Sequence, residues 1–468
     1  MAIDILPDDA LLEIFSSYLV ETSEHIEPWL PLVHVCRRWR SIIFASPRRL
    51  DVRVFYTPER QVKVMLDIWQ NLPIHISRSL ADAYKISRYH HESNLIAALE
   101  RTNRISQIQL KGFPFSELER ILAAMQKPFP ALTSLDIECC NENFLDAMPV
   151  LPEAFLGGSA QHLRSCNLSD VEFPGIWKLL LTASHLVTLR LWDIPHSMYP
   201  SPEGMATCLS MNPNLESLSI GFKFPQSLPN RLDQPNRLLS PLTRVVLPSL
   251  TKFEFRGMSE CLEDFVSRID VPLLNNVDIT SFDQPISHTS RLHDFLARIE
   301  KFKAPSRGRV TFWAASDIRF ELEFELELGF LSIRISCGEL GRQVSSMARL
   351  FGSSIRLPSA SKRLDVLSGF PRVLDPQDEV DRPQWLDTLH SFTGLKDLHL
   401  GKGLVLCFAL ALQELAGQRV TEVLPALQNL FIQGLEPSGP IREAFEKFAA
   451  ARQQSGLPVV INSWDGPT

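Results

Sequence analysis

Apolar and polar positions along the chain recur in one ten-residue phrase. Residues 130–139 read PALTSLDIEC, 213–222 PNLESLSIGF, 248–257 PSLTKFEFRG, 272–281 PLLNNVDITS and 425–434 PALQNLFIQG. Each sets a proline two residues before an apolar position, with further apolar residues three and five places on. Proline fixes its own φ and pushes the preceding residue out of the helical region, so it ends whatever helix comes before. The residues after it alternate as a short strand requires: Leu218 and Ile220 face one way, Ser217 and Ser219 the other. Segments 105–113, 163–171, 186–194 and 395–403 carry the pattern without the proline, and Ile74 extends it backward. The first apolar positions Ile105, Leu132, Leu163, Leu186, Leu215, Leu250 and Leu274 lie 27, 31, 23, 29, 35 and 24 residues apart.

Helical spacing fills the intervals. In 115–125, Leu118, Ile121, Leu122 and Met125 share a face, with Ser116 as the expected cap. Residues 91–102 and 404–417 behave likewise. Strand, loop and helix at about 30 residues per unit predict an α/β fold: an irregular leucine-rich repeat solenoid over residues 51–468. Parallel strands would form its concave face and helices its convex face, neighbours together burying what one unit cannot. The alternative is a doubly wound α/β domain. Strands covered on both faces would read as near-continuous apolar runs, and no glycine-rich phosphate loop follows the first strand.

The regular pattern breaks at about 304–337. Alternation from Ile318 to Leu328 predicts strands and a longer hairpin around Gly329. Glu321, Glu323, Glu325 and Glu327 would form an acidic ridge, either a solvated face that discourages edge pairing or an attractor for a basic partner. The repeats resume at Arg363–Leu367, and the turn-rich stretch 368–384 reads as a surface loop.

Residues 1–50 are of another kind. In 5-ILPDDALLEIFSSYL-19, Leu11, Ile14, Phe15 and Tyr18 share one helical face, behind a helix start favoured by Pro7, Asp8 and Asp9. In 28-PWLPLVHVCRRWRSIIFASPRRL-50, Leu32, Val35, Cys36, Trp39, Ile42 and Ile43 make a second stripe. This stretch resembles the F-box: Leu-Pro, an acidic pair, an apolar helix, then Val-Cys-basic-x-Trp-basic. Leu6, Pro7, Leu11, Ile14, Phe15, Val35, Cys36, Arg38, Trp39 and Arg40 occupy the matching positions. The segment 20–28 is longer than the corresponding linker in many F-boxes, and with the VHVCRRWR phrase it is similar to fungal F-box proteins.

The resemblance implies that the module docks a Skp-type adaptor through its apolar helical faces. Leu6, Pro7, Leu11, Ile14, Phe15, Leu32, Val35, Cys36 and Trp39 are the candidate contacts. Through the adaptor it would join the cullin and RING subunits of an SCF-type ubiquitin ligase, while the following repeats hold a protein substrate. The competing reading of the residues is a helical cap closing the first repeat, since the ends of a repeat stack need covering. A repeat scaffold, or an F-box protein acting without ubiquitin transfer, is the alternative in function.

Composition sharpens this picture by exclusion. The net charge of −7 argues against a nucleic-acid partner, so the cluster Arg37, Arg38, Arg40, Arg48 and Arg49 reads as a solvated face. The longest apolar run, Leu404–Leu412, is too short to span a bilayer, and acidic residues from Asp4 onward fit no signal peptide. Eight scattered cysteines without C-x-x-C spacing read as small buried residues in a reducing compartment, cytoplasmic or nuclear, with no metal or other cofactor expected. No hydrolase elbow, phosphate loop or zinc-protease motif is present, so no catalytic residues are assigned. Outward positions on the repeat strands are the candidate substrate contacts: Arg190, Trp192, Lys252, Glu254, Arg256 and Asp278.

Overall fold

The computed structural model of the chain describes residues 5–21, 29–46, 54–56, 66, 72–78, 91–139, 148–195, 198, 202–223, 244–282, 290–302, 307–313, 319–326, 329–336, 361–369, 382–413, 415 and 420–466. The chain divides into two compact units, Met1–Tyr199 and Pro200–Thr468. It is a mixed α/β protein with parallel strands and an N-terminal helical region.

The first unit opens with helices α1 (Asp8–Glu21), α2 (Leu30–Val33) and α3 (Arg37–Ala45). Strands β1 (Val54–Tyr56), β2 (Ile74–Arg78), β3 (Ile105–Phe113), β4 (Ser134–Cys139), β5 (Ser165–Ser169) and β6 (Thr188–Ile194) follow. Each pairs in parallel with the next. Parallel neighbours require crossovers; helices α4 (His91–Leu99), α5 (Phe115–Ala124) and α6 (Ile176–Thr182) lie in three of them. Helix α5 starts at Phe115 after Pro114, without a side-chain cap, so Ser116 lies inside its first turn rather than capping it.

The repeated phrase has one local structure wherever it occurs. The first apolar residue donates its N–H to the carbonyl three residues back: Leu132 to Phe129, Leu163 to Ala160, Leu186 to Ala183, Leu215 to Asn212, Leu250 to Leu247, Leu274 to Val271, Leu395 to Phe392 and Leu427 to Leu424, all between 3.0 and 3.4 Å. In the five units with a proline, that residue is the second of this turn, where its fixed φ is already suited. The strand proper begins two residues after the leucine. In six units the next two N–H groups then share one carbonyl of the preceding unit, as Arg164 and Ser165 share Thr133. Every apolar trio is buried, for example Leu132, Leu135 and Ile137 or Leu427, Leu430 and Ile432.

The second unit contains helix α7 (Pro202–Ser210), strands β7 (Ser217–Phe222), β8 (Val245–Val246) and β9 (Lys252–Gly257), helix α8 (Ser259–Val266), strands β10 (Ile269–Asp270) and β11 (Asn276–Ser281), and helix α9 (Ser290–Arg298). Then come β12 (Arg307–Trp313), β13 (Arg319–Leu326), β14 (Gly329–Ser336) and β15 (Arg363–Ser368), helix α10 (Arg382–His390), β16 (Asp397–Leu400), helix α11 (Val405–Gln413), β17 (Asn429–Gln433), helix α12 (Pro440–Gln454) and β18 (Val460–Trp464). Strands β8 and β10 form a small separate ladder. The others run in the order β7, β9, β11, β14, β13, β12, β15, β16, β17, β18.

The regular order is broken by a backtrack. Strand β13 is antiparallel to both β12 and β14, while β14 lies parallel to β11 and β12 parallel to β15. The hairpin expected around Gly329 is the β13–β14 pair, with Leu326 opposite Gly329. A Cβ at Gly329 would collide with the Asn275 carbonyl oxygen, so this close approach to β11 requires glycine. Of the expected acidic ridge, Glu327 lies outside the described residues. The register sets Glu321 beside Arg334, Glu323 beside Arg309 and Glu325 beside Arg307. Arg309 binds Glu323 at 3.3 Å, so the row is interleaved with cations rather than uniformly acidic.

Aromatic rings fill the core of this unit. Phe253 of β9 meets Phe265 of α8 at 5.6 Å and Phe295 of α9 at 6.3 Å. Trp385 of α10 meets Phe312 of β12 at 5.5 Å and Phe408 of α11 at 4.6 Å. The expected loop 368–384 lies largely outside the described residues, and its end, from Arg382, already belongs to α10.

Candidate interaction surfaces

The three N-terminal helices close on themselves. Leu11, Leu12 and Phe15 of α1, Trp29, Leu32 and Val33 around α2, and Ile42 and Ile43 of α3 form one buried cluster, joined from later in the chain by Leu72. Phe15 and Trp39 pack with their rings tilted at 59° and 4.7 Å between centres. The arginines of the VCRRWR phrase hold the helix ends. Arg38 donates to the Leu6 carbonyl at 2.6 Å and to Asp8 Oδ1 at 2.6 Å, and Arg40 donates to the Val33 carbonyl at 3.0 Å. Cys36 is the N-cap of α3, its Sγ accepting the Trp39 N–H at 3.4 Å.

This geometry redistributes the residues assigned to docking from sequence. Leu11, Phe15 and Leu32 are buried inside the module and hold its core. Leu6 and Trp39 are partly buried against the same core, and Cys36 caps a helix. Pro7, Ile14 and Val35 face outward, with Ile14 44% and Val35 58% exposed; Ile5, 82% exposed, joins them and was not assigned. At about 100° per residue, Ile14 falls on the edge of the arc that Leu11, Leu12 and Phe15 bury. A stripe that wide is too broad for one core, which is the signal that separates the two roles. Arg48 and Arg49 of the basic cluster lie outside the described residues.

Strand positions opposite the buried trios form a polar face in each unit. In the first, the register aligns Ser77, Gln109, Asp136, Asn167 and Arg190. Ser77 donates to Gln109 at 2.8 Å, and Gln109 and Asn167 donate to the two Asp136 oxygens at 3.3 and 2.7 Å. Lys111 bridges Asp136 and Glu138 at 3.0 and 3.1 Å. Burial works to lower its pKa, but the hydrogen bonds and charges of the two carboxylates outweigh it and hold the value above the usual lysine range. Arg190 is exposed, its guanidinium 4.9 Å from the Trp192 ring.

The other four candidate contacts lie on β9 and β11 of the second unit, where the register sets Glu254 beside Asp278. Lys252 is exposed. Glu254 accepts from Ser219 at 2.9 Å, Asp278 accepts from Arg334 at 3.0 Å, and the Arg256 guanidinium lies 5.6 Å from the Phe282 ring.

Sequence reasoning missed a denser cluster on β12 and β15–β18. Asp365 is fully buried although it lies on the polar face. Arg307 Nε donates to its Oδ2 at 2.9 Å, Arg307 Nη2 donates to the same oxygen, and Arg363 Nε donates to its Oδ1 at 2.9 Å. Burial alone would raise this carboxyl's pKa, but the two guanidinium groups overcome it and hold it below the usual range. On the next strand His399, 6% exposed, stacks on Phe431 at 4.2 Å and meets the Trp464 ring at 4.9 Å. Burial, reinforced by Arg363, keeps the imidazole below its usual pKa. The arrangement offers paired guanidinium groups and aromatic rings, the side chains that dominate protein interfaces.

Residues 3–53 of the chain match the family model for F-box-like domains, the stretch that contains the three-helix module. Comparison with curated proteins finds no match. Among the described residues, no helix is long and apolar enough to cross a membrane.

Proposed function

We propose that this chain is the substrate-receptor subunit of an SCF-type cullin–RING ubiquitin ligase. One coincidence carries the reading: the F-box-like match at residues 3–53 falls on a helical module that completes its own core yet leaves Ile5, Pro7, Ile14 and Val35 bare. In this reading these exposed apolar side chains supply the apolar contact that an adaptor would cover. In this reading a Skp-type adaptor covers them and brings cullin and RING subunits. F-box domains are typically adaptors rather than enzymes, and the chain contributes no chemistry of its own.

The parallel-strand units, read as a leucine-rich-repeat-like solenoid, then hold a protein substrate on their polar faces. Arg190 and Trp192 act in the first unit and Lys252, Glu254, Arg256 and Asp278 in the second. Mixing the purified chain with a Skp-type adaptor, cullin and RING subunit tests this. A stable four-component assembly on gel filtration is expected; a chain eluting alone while the other three assemble contradicts it.

A further inference from the structure

Two features set the Asp365 cluster apart among the described residues of the second unit's polar face. Two guanidinium groups share one carboxylate, and that carboxylate is wholly inside. Arg363 keeps 37% of its side chain exposed and meets Asp365 through Nε, which leaves its Nη groups, the fork that reads carboxylates, available. The register places Asp397 beside Arg363, and the Asp397 Oδ1 is taken by Asn429 Nδ2 at 2.7 Å. Beside this lies an apolar platform: half-buried Phe431 and Trp464 around the His399 ring, with Val460 56% exposed on the outermost strand. His399 Nδ1 is buried without a hydrogen-bond partner among the described residues.

We infer that strands β15–β18 carry the specificity-determining patch for the protein substrate: an extended segment with a carboxylate side chain on Arg363 and an aromatic side chain against Phe431 and Trp464. Charge and shape both select this occupant. The fork is cationic, its neighbour Asp397 is already engaged by Asn429, and the lanes beyond carry aromatic rings. Strands β15 and β17 are two lanes apart, about 9.6 Å at the usual interstrand spacing. An extended chain covers that distance in about three residues, so the acidic and aromatic residues are separated by about that many. Asp365 is a positioning residue, orienting both arginines from beneath.

The inference rests on the reading of the chain as a holder of a protein segment, and its test separates the two. A random twelve-residue peptide library displayed on phage is selected against the full chain, and the enriched peptide is then synthesised with Glu or Gln at the acidic position. The expected result is enrichment of an acidic residue about three positions from an aromatic one, with the Gln peptide binding at least about tenfold more weakly. Arg363→Met and Trp464→Ala should each lose about tenfold while melting like the wild type, and Lys178→Met, at an exposed position of α6, should change nothing. Equal binding of the Glu and Gln peptides, loss with Lys178→Met in place of Arg363→Met, or no enrichment overturns the inference. Adaptor capture is scored on the same preparations. Peptide binding without capture refutes the ligase reading alone, and capture without peptide binding refutes the patch alone.

Discussion

The polar faces of the two units solve the same problem differently. In the first, strands follow chain order, and neutral side chains bond from lane to lane around Asp136, with Lys111 bridging Asp136 and Glu138. In the second, the backtrack through β13 delivers Arg307 and Arg309 to the lane beside β15, and a buried carboxylate is held by two arginines. The buried faces, by contrast, are alike: the same trio of apolar positions in every unit. The core therefore tolerates a change of strand order that rewrites the exposed chemistry. In the reading proposed above, this is how one buried architecture comes to carry a local binding surface.

The largest expected effect breaks the symmetry between the units. Fully buried Arg452 of α12 donates to five backbone carbonyls, those of Val420, Val423, Pro425, Leu427 and Leu457. In the first unit half-buried Arg104 donates to the Leu72 and Leu66 carbonyls. An orphaned buried carbonyl costs roughly 1–3 kcal/mol. Arg452→Ala should therefore destabilise its unit by about 4 kcal/mol or more and Arg104→Ala by about 1–2 kcal/mol, read by denaturant unfolding. Equal losses would deny that Arg452 is the stronger tie.

Next come the shared buried faces. Leu135 of β4 and Leu218 of β7 are both fully buried. Leu135→Ala and Leu218→Ala should each cost about 2–5 kcal/mol through the cavity left behind. A thermal shift in one and none in the other would show that the two cores are not built alike.

Smaller, and opposite in sign, are the pH effects. A lysine with a raised folded pKa contributes stability that is complete below its ordinary value, about 10.4, and is lost as pH rises through the raised value. That is Lys111. A carboxyl with a lowered folded pKa contributes stability that is complete above about 3.9 and is lost as pH falls through the lowered value. That is Asp365. Lys111→Met should flatten the alkaline limb of the first unit's stability, and Asp365→Asn the acid limb of the second's, in melts followed against pH. Unchanged limbs would refute the assignment.

Much of the fold was legible because the repeated phrase is local. The turn that places Pro130 or Pro425 spans four residues, and the alternation after it needs only the strand period. The antiparallel excursion was half legible: the hairpin at Gly329 showed in the alternation, but not the lane that β12 would take. Arg307 and Asp365 are 58 residues apart in sequence, and only the strand order brings them together. In the N-terminal module the sequence did not separate buried from exposed positions. Leu11, Phe15 and Leu32 belong to the same stripes as Ile14 and Val35, and spacing alone does not say where a core ends and an open face begins.

The account stands most directly on the outward residues of that module. Binding of a Skp-type adaptor should be measured by calorimetry for the wild type, for Ile14→Asp with Val35→Asp, and for Lys252→Met. The double variant is expected to melt like the wild type, because both side chains are exposed, and to lose at least about a hundredfold in affinity, roughly 2.7 kcal/mol. Lys252→Met should bind unchanged. Wild-type affinity in the folded double variant would contradict the account.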